Sequence, residues 1–129
     1  MPIKILVVDD EKDVELLFRQ RFRKSVREGN IAFEFAFSGE QALEYLGKIA
    51  PPDVTLILSD INMPGMNGFE LLEKVKNNYP VLKVMMITAY GDEEHEMKAK
   101  ELGADGFLTK PLDFKHLEER LLELPGFKG

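Results

Sequence analysis

Short apolar runs and stretches with helical spacing alternate five times along this chain. The apolar runs lie at Ile3–Val8, Ile31–Phe37, Val54–Ser59, Lys83–Thr88 and Gly106–Thr109. Each is four to seven residues long and bounded by turn-forming residues, which predicts strands. The first intervening stretch places Val14, Leu17, Phe18, Phe22 and Val26 on one helical stripe. The second opens on Ser38 with Gln41 three residues later, a capping-box spacing, and would bury Ala42, Leu43 and Leu46. In the third, Asn67 and Glu70 repeat that spacing ahead of Leu71, Leu72 and Val75. The fourth, Asp92 to Leu102, is mostly charged, with Met97 and Leu102 as its anchors and Gly103 as its stop. The fifth starts at Asp113 and would bury Phe114, Leu117 and Leu121.

Strands one, three and four are apolar almost throughout, as central strands covered on both faces should be. Strand two alternates, with Ile31, Phe33, Phe35 and Phe37 on one face and Ala32, Glu34 and Ala36 on the other, which suits an edge. Five βα units with right-handed crossovers give an α/β fold: a doubly wound, three-layer sandwich around a five-stranded parallel sheet. The 129 residues suffice for one domain, taken as 1–129.

In open α/β sheets, ligands bind beyond the carboxyl ends of the strands. Here strand one runs out at Asp9-Asp10, strand three at Asp60, strand four at Thr88 and strand five at Lys110-Pro111. Three carboxylates, a hydroxyl and an ammonium thus fall on one edge, and the opposite strand ends show no comparable cluster. Each has a plain structural role open to it: Asp9 or Asp10 could cap the first helix, Thr88 suits a strand, and Lys110 could be solvated. Asp60 is harder to explain so, because no helix follows it. The set as a whole points to a hard cation bound by oxygen ligands. Mg²⁺ commonly bridges carboxylate and phosphate, and a carboxylate can act as a nucleophile toward phosphorus. Lys110 and Thr88 would then meet the phosphoryl oxygens, and the small Ala89 would leave room for the incoming group. The breaker-rich segment after Asp60 would turn a backbone carbonyl toward the cation.

Composition narrows the classes further. The net charge of −6 argues against nonspecific nucleic-acid or anionic-membrane binding, and the lack of cysteine excludes disulfides and thiolate metal sites. No signal-peptide pattern or membrane-length apolar run is present, so a cytoplasmic location is expected. Neither G-x-x-x-x-G-K-S/T nor G-x-G-x-x-G occurs, and His95 and His116 read as surface residues rather than ligands.

LVVDDE, LILSDINMPGMNG, MMITAYGD and GADGFLTKP together resemble the signature stretches of response-regulator receiver domains of two-component signalling. The resemblance spans essentially the whole chain and implies the flavodoxin-like strand order 2-1-3-4-5. It implies Asp60 as phosphoacceptor, Asp10 and Asp60 as direct Mg²⁺ ligands, Asp9 acting through water and the Asn62 carbonyl as a further ligand. Thr88 and Lys110 correspond to the phosphate-contacting pair, Tyr90 to the aromatic switch that responds to Thr88, and the Lys110-Pro111 bond is expected to be cis. The commonest pattern has Asp where this chain has Asn67. The implied partners are a histidine kinase or histidine phosphotransfer protein and an unidentified downstream protein. The implied activity is confined to Mg²⁺-dependent self-phosphorylation and slow autodephosphorylation. The reporting face would be the fourth helix, fifth strand and fifth helix. Two alternatives compete with this reading: a haloacid-dehalogenase-like phosphohydrolase, which usually carries D-x-D after strand one, and an interaction module independent of phosphate. No output domain fits in this length, so the chain is either a stand-alone regulator or the receiver piece of a longer one.

Overall fold

A computed structural model describes residues 3–48, 54–89 and 93–122. The elements run β1 (Ile3–Val8), α1 (Asp13–Arg21), α2 (Arg23–Arg27), β2 (Ile31–Ala36), α3 (Gly39–Lys48) and β3 (Leu56–Asp60). They continue with α4 (Gly68–Asn78), β4 (Lys83–Thr88), α5 (Glu93–Glu101), β5 (Gly106–Thr109) and α6 (Phe114–Leu122). All strand pairs are parallel and the order is β2-β1-β3-β4-β5, the doubly wound arrangement expected. The alternating strand β2 is indeed an edge.

Period-two geometry splits each central strand between two apolar layers. Ile3, Ile5 and Val7 of β1, Leu56 and Leu58 of β3, and Met85 and Ile87 of β4 pack with Phe18, Phe22, Leu117 and Leu121 of the α1, α2 and α6 side. Leu6, Val8, Ile57, Val84 and Met86 pack with Ala42, Leu46, Leu72, Val75 and Ala99 of the α3, α4 and α5 side. Both faces of the sheet are therefore covered. Phe18 lies edge-on to Phe33 at 5.6 Å and to Phe114 at 5.4 Å, tying α1 to β2 and to α6. Aromatic pairs in this geometry add to the free energy of area burial alone. Among the described residues, no helix is long and apolar enough to cross a membrane.

Four expectations need correction. The first helical stretch is two helices, because Phe22 takes φ −109° and ψ 21° between them. Leu17 is not on its buried stripe but 49% exposed, since Phe18 and Phe22 occupy the centre of the contact. Met97 does not anchor α5: it is 58% exposed, and the fully buried Ala99 is what meets the core, beside the partly buried Leu102. The opposite strand ends also carry a charged group. Asp105 accepts from the Val84 N–H and from Lys76 Nζ, both at 2.9 Å, with Lys83 Nζ at 4.0 Å. It clips β4, β5 and α4 together there. Asp92, the expected start of the fourth helix, lies outside the described residues.

Capping chemistry fixes two helix starts as the spacing predicts. Asn67 Oδ1 accepts the Glu70 N–H at 3.0 Å while Glu70 Oε1 accepts the Asn67 N–H at 3.1 Å, a reciprocal capping box. At α3 the Gln41 N–H donates to Ser38 Oγ at 3.0 Å. Gln41 Oε1 reaches back one residue further than a capping box requires, to the Phe37 N–H at 2.8 Å.

Candidate functional site

The sheet register brings the polar strand ends to one place. Beyond β1, the Asp9 N–H donates to the Ala36 carbonyl at 3.1 Å, which holds Asp9 in line with the strand. Asp60 is the last residue of β3, opposite Ile87 of β4, and the Ile61 N–H donates to the Ile87 carbonyl at 3.0 Å. Thr88 ends β4 and is fully buried, and its carbonyl accepts the Lys110 N–H at 2.8 Å. That bond extends the β4–β5 pairing to Lys110, whose side chain then reaches Asp60 on the central strand. The Lys110-Pro111 peptide is cis, as expected.

Asp9 and Asp60 are 6% and 5% exposed, whereas Asp10 is exposed. Asp9, Asp10 and Asp60 each offer a ligand oxygen within 4.8 Å of the others, the arrangement a divalent cation takes. Lys110 Nζ lies 3.2 Å from Asp9 Oδ2, 3.2 Å from Asp60 Oδ2 and 3.6 Å from Glu11 Oε1. The Glu11 N–H donates to Asp9 Oδ1 at 2.9 Å.

Burial is the main reason both inner carboxyls sit above their ordinary pKa, because it disfavours the charged form. The charge of Asp9 raises Asp60 further, while Lys110 and the Asn62 backbone N–H oppose the rise. At Asp9 the Glu11 N–H and Lys110 provide the opposing pull. Burial alone would lower the pKa of Lys110, but the two aspartates outweigh it and hold the ammonium above its ordinary value. One cation thus faces three nearby carboxylates, and the donor set is all oxygen and electron-rich. That chemistry fits a hard divalent ion.

The predicted residues Asp9, Asp10, Asp60 and Lys110 are therefore gathered within ion-pair or ligand distance, and the Asn62 backbone joins them through its N–H. Thr88 is brought to the same edge by its backbone. Tyr90 lies outside the described residues. His116 is exposed, and His95 stacks on Phe69 with ring centroids 6.0 Å apart.

Two residues of the site were missed in the sequence. One is Glu11, the third carboxylate around Lys110. The other is Gly68, the first residue of α4. A Cβ there would run into the Asp60 carbonyl oxygen, stand 2.7 Å from Ile61 Cα and 2.9 Å from Met86 Cε. Its N–H donates to the Ile61 carbonyl at 2.7 Å, so α4 starts directly against the end of β3. Glycine is a poor helix former, and its place straight after a strong cap is the signal that the backbone must come close. Within the loop, Gly65 takes φ +74°, a left-handed conformation that makes the turn after Pro64.

A doubly wound parallel sheet with buried aspartates and a lysine at its carboxyl edge defines an acidic site suited to a divalent cation and a phosphoryl group. Residues 5–122 match the model of the response regulator receiver domain, and the chain belongs to that family. It is 36% identical over 116 residues to sporulation initiation phosphotransferase F of Bacillus subtilis, covering 90% of this chain and 88% of that protein. Response regulator protein FleR of Pseudomonas aeruginosa is 34% identical over 131 residues, covering 98% of this chain but only 26% of FleR. Among solved structures, the CheX–CheY–BeF3–Mg²⁺ complex from Borrelia burgdorferi superposes with a TM-score of 0.82 at 30% identity, covering 95% of this chain and 88% of that one.

Proposed function

We propose that residues 1–129 form one receiver domain in which Asp60 accepts a phosphoryl group from a phosphohistidine. The supporting observation is the setting of Asp60: a buried carboxylate ending the central strand, with Lys110 3.2 Å away and two further aspartates within ligand distance. An oxygen of Asp60 attacks phosphorus, the P–N bond breaks, and its electron pair leaves with the donor imidazole. Lys110 and the Thr88 hydroxyl take the phosphoryl oxygens as that charge transfers. Asp9, Asp10, Asp60 and the Asn62 carbonyl would hold a Mg²⁺ ion, which would supply positive charge to offset the carboxylates and the incoming phosphoryl group. Donation by a histidine kinase or a histidine phosphotransfer protein fits this chemistry.

The output follows from what must move. The Thr88 side chain is buried, so meeting new acceptor oxygens requires a shift at the end of β4. Tyr90 is the residue proposed to take up that shift. The next element, α5, is held mainly by Ala99 and Leu102, a shallow anchorage that favours a two-state rearrangement. The face made by α5, β5 and α6 is the proposed reporter to a downstream protein. Amide NMR with Mg²⁺ and beryllofluoride, a mimic of aspartyl phosphate, tests this. Beyond the site itself the largest shifts should fall from Thr88 to Lys115, and Thr88→Ala should shrink them. Shifts centred on α1 and α3 would contradict the assignment of the output face.

A further inference from the structure

The chain is acidic overall, yet Arg19, Arg21, Arg23, Lys24 and Arg27 follow one another with no Asp or Glu between Leu16 and Arg27. They lie on α1 and α2. Arg19 of α1 and Arg23 and Arg27 of α2 are exposed and line one hollow, a stripe across the break at Phe22, with Leu16 one turn before Arg19. Leu16 is 69% exposed. Arg19, Arg23, Val26 and Arg27 line a shallow hollow of about 320 Å³. Arg19 is held in place there: its Nε meets Glu15 Oε2 at 2.9 Å and its guanidinium lies 4.9 Å from the Phe35 ring centre. Arg23 and Arg27 make no ion pair among the described residues. The stripe descends toward Asn30, whose carbonyl accepts the Ile3 N–H at the start of β1, and so ends at the opposite end of the sheet from Asp60.

We propose that this stripe is a second docking surface, and that its partner is an acidic amphipathic helix of another protein. Charge complementarity selects an anionic partner, and guanidinium groups pair with carboxylates in two-pronged fashion. The apolar floor at Val26 and the exposed Leu16 select a partner that carries apolar side chains between its carboxylates. Size selects a helix. The stripe takes in only the last turns of α1 and the five residues of α2, a length of about 16 Å at most by helical rise, roughly three turns of a partner helix. A nucleic acid or a membrane would extend past it onto surfaces that hold the chain's excess of negative charge, and would be repelled there. Because the stripe runs away from Asp60, it can be occupied whatever the state of that residue.

The test uses a synthetic helix of about 18 residues, long enough to be helical, with a leucine row flanked by glutamates. Its competitors are a scrambled peptide of the same composition, heparin, and vesicles of phosphatidylserine and phosphatidylcholine. Fluorescence anisotropy measures affinity and amide NMR locates the contact on the full chain. The patterned peptide should bind and shift amides from Leu16 to Arg27. Arg23→Glu with Arg27→Glu should weaken it by roughly tenfold or more, since two attractive contacts become repulsive. Circular dichroism should show the double variant folded, because neither side chain is buried. Asp60→Asn should bind the peptide as the wild type does, which separates this result from that of the phosphoacceptor reading. The proposal is overturned if the peptide does not bind, if the scrambled peptide binds as well, if the charge reversals leave affinity unchanged, or if heparin or vesicles bind these amides more tightly.

Discussion

Lys110 and Asp60 stand 3.2 Å apart, ammonium to carboxylate, although fifty residues separate them in the chain. The contact exists because β3, β4 and β5 end level with one another and the Thr88 carbonyl draws in the Lys110 N–H. It sets the electrostatics of the whole site. Without the lysine, two buried carboxylates would face each other with no positive charge beside them among the described residues.

Replacing Lys110 by Met in metal-free buffer should therefore destabilise the fold at pH 7 by about 2 kcal/mol, the range for losing charge-assisted hydrogen bonds. The pH dependence carries the proof. Asp9 and Asp60 already have folded pKa values above their ordinary 3.8, so the folded state holds more protons than the unfolded one just above that pH. Their contribution favours folding at low pH and is lost as pH rises through the folded values. Removing Lys110 pushes those values further up, so the penalty should shrink toward pH 4. In the wild type, the lysine's own contribution should persist until pH passes its raised folded pKa, above 10.5. Urea titrations across pH read both effects, and a penalty independent of pH would contradict them.

Gly68→Ala should cost about 1–3 kcal/mol, because the new methyl meets backbone atoms of Asp60 and Ile61 that cannot turn aside. The damage should also reach the site, since the displaced backbone carries the Asp60 carboxylate. Denaturant melts and amide shifts at the end of β3 check this. Gly47→Ala is the control: nothing lies within 4 Å of a Cβ at that position, so the end of β3 should keep its shifts and the fold should lose no stability.

The contrast between Gly68 and Asp60 shows what was legible in the residues. Asp9, Asp10, Asp60, Thr88 and Lys110 could be read because each sits where an apolar run stops, and in a parallel sheet those stops share an edge. The edge position of β2 could be read from its alternation. Gly68 and Glu11 could not be placed so directly, because their contacts cross a loop whose path no periodicity encodes. Leu17 and Met97 failed for another reason. Both lie at the flank of a helical stripe, where a small rotation about the axis decides between core and solvent. At α1 the large Phe18 and Phe22 side chains set that rotation, and at α5 the small Ala99 allows the helix to sit close. The charge of the chain as a whole likewise hid the arginine stripe of α1 and α2.

Mg²⁺ should raise the melting temperature, because a cation among Asp9, Asp10 and Asp60 relieves Asp9 and Asp60, which burial, and at Asp60 also the charge of Asp9, hold above their ordinary pKa. At a free concentration of about 100 times its dissociation constant, the gain is about 2.7 kcal/mol. Asp10→Asn should abolish the response while leaving the fold intact, since Asp10 is exposed. Calorimetry with and without the ion decides it, and an undiminished response in that variant would remove Asp10 from the site.

The most direct test of the central claim is intact-mass analysis after incubation with a small acyl phosphate and Mg²⁺. The wild type should gain one phosphoryl group, the adduct should be strongly reduced when Mg²⁺ is chelated, and Asp60→Asn should gain none. An adduct on Asp60→Asn equal to that of the wild type would contradict it.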